Sequence, residues 1–84
     1  PKYHMLKEKI NIDANLNFDV IKIKLKSAFQ NYSYDETDGL KIENNSSWIH
    51  VRKSNTEPII RIYIESKQVE TSKSMLNSVK KALS

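Results

Sequence analysis

The 84-residue chain has no cysteine, a single glycine and only two prolines. Without Cys no disulfide or thiolate-held metal is possible, which argues against a small secreted disulfide scaffold. Apolar residues make up 38% of the chain and never run to the roughly 18 consecutive positions of a membrane span. No signal-peptide pattern is present. Neither sign of charge dominates: 14 Lys and Arg against 10 Asp and Glu leave a net charge of +4. That balance suits nucleic acid, acidic lipid or phosphorylated metabolites, and equally a solvated basic surface. The two histidines have no acid pair beside them and so no metal-ligand spacing. The length fits one small domain, residues 1–84, burying about 60–65% of its unfolded surface. Pro1 rather than Met stands first, so a piece of a longer polypeptide is expected.

Periodicity sketches the elements. Residues 3–12 alternate in part, as a strand, and 13–17 form a polar break with Asn15 and Asn17 as helix-cap candidates. Two patterns compete over 18–30. Ile21, Ile23 and Leu25 alternate with lysines, while Phe18, Ile21, Leu25, Ala28 and Phe29 share one face of a helix. The helical set is longer, so a helix is expected, with Lys22 and Lys26 turned away from the core. Asp38-Gly39 marks a turn before the short alternation Leu40-Lys41-Ile42-Glu43, and Asn44 to Ser47 marks another. Residues 48–52 and 59–65 read as strands. Val69, Ser72, Met75, Leu76, Val79, Ala82 and Leu83 step by three and four, as a closing helix.

The run Arg52-Lys53-Ser54-Asn55-Thr56-Glu57-Pro58 gathers a guanidinium, two hydroxyls and a carboxamide in one turn. A hairpin across Ser54–Glu57 with Lys53 facing Pro58 sets Val51 against Ile60 and Ile49 against Ile62 on a core face. Trp48, His50 and Arg52 then share the other face with Ile59, Arg61 and Tyr63, and Trp48 faces Tyr63 as an aromatic pair. His50 is expected to pack on Arg61 or to meet a ligand. In this register Arg52 and Arg61 are diagonal neighbours, about 7–8 Å apart. Two cations that close need an anion between them. Glu57 could serve, and a phosphate would suit better, since guanidinium forks match its oxygens. Ser54 and Thr56 add hydroxyl donors, Asn55 tolerates the left-handed backbone of an anion-binding nest, and Pro58 stiffens the exit. The same residues would also make an ordinary hairpin turn.

This run, continued by Ile59-Ile60-Arg61-Ile62-Tyr63, resembles the C-terminal phosphate-binding loop of the α-D-phosphohexomutases. That superfamily includes phosphomannomutase/phosphoglucomutase and phosphoglucosamine mutase. The resemblance extends over residues 35–84, while 1–34 match in the order of elements. It implies an α+β fold like that of the TATA-box-binding protein: a four-stranded antiparallel sheet with two helices, in the order βαβββα. It implies that Arg52, Ser54, Asn55 and Thr56, with Arg61 as a further member, grip the phosphate of a phosphosugar substrate, and that Lys53 points to solvent. Asn55 stands where phosphoglucosamine mutases usually carry Gly, which favours the phosphomannomutase/phosphoglucomutase type over that alternative.

The reaction implied is intramolecular phosphoryl transfer between O1 and O6 of a hexose phosphate, with Mg²⁺ and hexose 1,6-bisphosphate bound outside this stretch. The catalytic serine and the metal site belong to the other domains of the same chain. No catalytic or metal residue is therefore expected here, and the domain alone should be inactive. The lack of Cys fits a reducing cytoplasm, and no membrane or nucleic-acid partner is expected. Two rival readings remain: a basic nucleic-acid-binding module, opposed by the few aromatics and by arginines confined to 52 and 61, and a protein-interaction domain with a plain hairpin.

Overall fold

Ile60, Ile62 and Ile64 alternate with Arg61, Tyr63 and Glu65, so this strand must have one wholly aliphatic face. In the computed structural model, which describes residues 3–13 and 15–84, it lies within a five-stranded antiparallel sheet. Pro1 and Lys2 of the expected domain, and Ala14 of the polar break, lie outside the described residues. The elements run β1 (His4–Asn11), α1 (Phe18–Ala28), β2 (Ser33–Asp35), β3 (Leu40–Glu43), β4 (Trp48–Lys53), β5 (Ile59–Ser66) and α2 (Val69–Leu83). The sheet order is β1-β5-β4-β3-β2. Leu40, Ile42, Ile49, Val51, Ile60, Ile62 and Ile64 meet Ile21, Leu25 and Phe29 of the α1 region and Met75 and Val79 of α2 in a single core. Both helices thus serve one face, and the opposite face carries the alternate residues of every strand.

The expected α+β fold is present, with one strand more than expected. Ser33–Asp35 pairs with β3, Asp35 opposite Lys41, making four strands between the helices. The strand is three residues long and exposed, so it leaves no apolar alternation to read. Its Tyr34 hydroxyl donates to the Phe29 carbonyl at 2.6 Å, closing the end of α1. Glu36, in the following turn, bonds Lys26 and lies 3.3 Å from Lys22. Those lysines, turned away from the core, tie α1 to the β2–β3 turn and sit over the Phe18 and Tyr34 rings.

Helix prevails over strand at 18–28 because the cap and the core agree. The Asn17 side chain accepts the Asp19 amide at 2.7 Å, and Ile21 and Leu25 are fully buried one turn apart. Ile23, which alternation would have put beside them, is 68% exposed. The helix ends at Ala28, short of residue 30. At the start of α2, whose Gln68 cap offers no side-chain bond, the buried Ser66 and Ser72 hydroxyls lie 2.5 Å apart. Ser66 donates its hydrogen bond to the Gln68 carbonyl at 2.7 Å, so Ser72 donates to Ser66.

Leu25→Ala should lose about 2–5 kcal/mol of stability, while Ile23→Ala should stay within about 0.5 kcal/mol of the parent. Urea midpoints check this, and equal losses would contradict the helical phase. A second expectation concerns acid. Hydrogen bonds from Lys26 first and Lys22 second hold the Glu36 carboxyl below its ordinary 4.5. A carboxyl lowered by folding stabilises above its unfolded pKa, and that stabilisation is lost as pH falls through the folded value. Urea midpoints of Glu36→Gln followed from about pH 6 to about pH 3 should show a shallower acid decline than the parent. Parallel curves would mean that the lysine contacts contribute nothing to folding.

Candidate functional site

The β4–β5 hairpin sets the site, and its register differs from the expected one by two residues. The rungs are Trp48 with Glu65, His50 with Tyr63, Arg52 with Arg61 and Lys53 with Ile60. Pro58 brings no N–H to a rung with Lys53, so the hairpin closes further out, where the Ser54 amide donates to the Ile59 carbonyl at 3.1 Å. A two-residue shift keeps every side chain on its face. The expected core face therefore stands, but Trp48 and Tyr63 do not meet. Tyr63 instead lies tilted against His50, ring centroids 6.5 Å apart, and Lys41 sits over the Trp48 ring. His50 donates through Nε2 to the Asp38 carbonyl at 2.6 Å.

The two arginines are directly opposite rather than diagonal. Arg52 pairs with Asp38 at 3.5 Å, Nε to Oδ2, whereas Glu57 makes no ion pair among the described residues. The internal anion beside Arg52 is thus Asp38, reached through the Gly39 turn and not through the loop. Arg61 lines a separate hollow beside β1 with Lys7, Lys9 and Tyr63.

Within the loop, Ser54 is the hub. Its Oγ receives the Thr56 and Glu57 amides, each at 3.3 Å, and the Thr56 hydroxyl lies 3.4 Å away. Two successive backbone N–H groups therefore converge on one oxygen. No left-handed residue is needed for this: Gly39, with φ of 69°, is the only positive-φ position among the described residues, so the expected left-handed Asn55 is not found. The loop is held at its far end too, since the Pro58 carbonyl accepts the Ile12 amide at 2.8 Å. Ser54, Asn55, Thr56, Glu57 and Lys53 border a shallow depression of about 220 Å³ between the loop and Asp13. Its amides and hydroxyls are long, weakly engaged donors that a stronger acceptor could claim.

Of the expected site residues, the loop therefore joins Ser54, Asn55 and Thr56, places Arg52 at its root and leaves Arg61 across the ladder. Asp38 and Gly39, as the groups that orient Arg52, escaped the sequence; the position of the lone glycine was their only signal. Asp35, the last residue of β2, leads into the same turn, its carboxyl held below the usual range by the Thr37 hydroxyl and then by the Thr37 amide. Among the described residues no three His, Cys, Asp or Glu come together as metal ligands. No helix of the described residues is long and apolar enough to cross a membrane.

Residues 10–82 match the family model described as "Phosphoglucomutase/phosphomannomutase, C-terminal domain". A phosphoglucomutase/phosphomannomutase of Thermococcus kodakarensis is 38% identical over 76 residues, 90% of this chain and 17% of its own length. A probable phosphoglucosamine mutase of Pyrococcus furiosus is 37% identical, over 95% of this chain and 18% of that protein. The crystal structure of a phosphoglucomutase/phosphomannomutase family protein from Burkholderia thailandensis superimposes with a TM-score of 0.68, at 22% identity, over 99% of this chain and 18% of that one. The chain thus spans about a fifth of the length of the relatives it matches.

Gly39 tests the local geometry. A Cβ there would stand 2.3 Å from the Val51 carbonyl oxygen and 3.3 Å from Cγ of Arg52. Gly39→Ala should cost at least about 1–2 kcal/mol from the left-handed backbone alone, with more from the clash. A urea midpoint matching the parent would show that the turn is not so constrained.

Proposed function

The chain belongs to the phosphoglucomutase/phosphomannomutase C-terminal domain family, and from that premise we propose that it holds the substrate phosphate for the mutase of which it forms about a fifth. The observation that carries this is the loop of residues 52–58. It offers Arg52 on its Asp38 rest, two amides converging at Ser54, and the hydroxyls of Ser54 and Thr56, all at one end of the open sheet face. A phosphate oxygen would take the two amides from Ser54 Oγ and free that hydroxyl to donate in turn. Arg52 would exchange a 3.5 Å ion pair for bidentate contact. Asn55 supplies a carboxamide at the loop tip, and Arg61, opposite Arg52, adds positive potential.

The whole enzyme would then be an isomerase that moves a phosphoryl group between O1 and O6 of a hexose. Asn55 favours the phosphomannomutase/phosphoglucomutase type. Magnesium, hexose 1,6-bisphosphate and the reacting serine would act in the remaining four-fifths of the mutase, and these residues alone would be inactive. Gripping a phosphate that does not react places the sugar, so remote binding energy serves the chemical step.

Arg52→Ala in the full-length mutase should lower kcat/KM by roughly 5- to 150-fold, equivalent to about 1–3 kcal/mol. Arg52→Lys should recover only part of that, since an ammonium cannot make the fork. An efficiency within about twofold of the parent would sink the phosphate-grip proposal.

A further inference from the structure

Positive charge crosses the open face of the sheet in a row. Lys9 stands opposite Arg61 on β1 and β5, and Arg61 stands opposite Arg52 on β5 and β4. Two rungs along, on the same face, Lys7 stands opposite Tyr63. Like charges directly across a strand pair destabilise a sheet. Here the repulsion is relieved at one end alone, where Asp38 pairs with Arg52. Among the described residues no carboxylate lies within 4.0 Å of the charged nitrogens of Lys7, Lys9 or Arg61. Glu8 borders the same hollow, but its side chain belongs to the helix-covered face and its carboxylate lies 3.5 Å from Lys80 of α2.

We propose that this hollow, about 300 Å³ and lined by Lys7, Lys9, Arg61 and Tyr63, is a second anion subsite, separate from the loop, that takes a phosphate group. The donor set decides the chemistry. Two ammonium groups, one guanidinium fork and one phenol outnumber the two oxygens of a carboxylate and match the three free oxygens and double charge of a phosphate monoester. Tyr63, half-buried with its ring tilted against His50, forms one wall. The Arg61 row lies two residues along β5 from Ile59, at the root of the loop, so loop and hollow can be filled together.

An amide NMR titration of the 84-residue chain with inorganic phosphate tests this, at constant ionic strength and with acetate as the carboxylate control. Residues 7–9 and 61–63 should shift and saturate with phosphate and not with acetate. The affinity read there should fall at least about fivefold in Lys7→Gln/Lys9→Gln, with the rest of the spectrum unchanged, and Arg61→Gln should do the same. Shifts no larger than those with acetate, or an affinity that neither variant alters, overturn the subsite. The loop is read independently at residues 53–58. Saturation on the loop alone removes the subsite and leaves the phosphate grip standing; saturation on the sheet alone does the reverse. Glucose 6-phosphate distinguishes the sources: tighter binding at 7–9 and 61–63 than inorganic phosphate assigns the hollow to a sugar-borne phosphate, and equal binding assigns it to the free anion.

Discussion

The aliphatic face of β5 is the constraint on which the remaining structure rests. Ile60, Ile62 and Ile64 have no accessible surface, are paired on both sides by β1 and β4, and are roofed by both helices. Each buried side chain of this size contributes about 1.5–3 kcal/mol, so three in one strand hold the register firmly. Because alternation is strict, burying them forces Arg61, Tyr63 and Glu65 onto the other face. The chemically interesting surface is in this sense a by-product of the core. A slip by one residue would exchange the two faces and is forbidden by burial; a slip by two exchanges only neighbours along the same face.

That distinction explains what was legible in the residues. The spacing of Ile21, Leu25 and Phe29, of Met75 and Val79, and the alternation in β4 and β5 all report burial, and burial decides element type and face. The helices, four of the strands and the core could therefore be read directly. The two-residue change of register could not, because it moves no apolar side chain out of the core. It turns on Pro58 lacking an N–H and on the bond from Ser54 to Ile59. β2 was invisible for a related reason: held by backbone pairing and by Tyr34 and Glu36 reaching α1, it needs no apolar pattern of its own.

The candidate site was legible in composition but not in arrangement. Ser54, Asn55 and Thr56 do share one loop. Where the two guanidinium groups go was decided by partners far away in sequence: Asp38 takes Arg52, and the wall of β1 receives Arg61. The Asp38 carbonyl also receives His50, so one turn aligns two neighbouring residues of β4's open face. An arginine kept on a weak, exposed ion pair is already ordered yet easily released to a better acceptor.

The pairing of β1 with β5 has a consequence for how this chain is made. β3, β4 and β5 are joined by short turns and can zip locally, but the rungs of β1 join position 4 to 66 and position 11 to 59. Such distant closure is slow because the intervening chain must be ordered before any contact rewards it. During synthesis β1 emerges first and has no partner until β5 has followed. The half-buried Leu6, Ile10 and Ile12 are meanwhile open to other chains, so the alternating lysines at 7 and 9 also act as gatekeepers of a strand that waits.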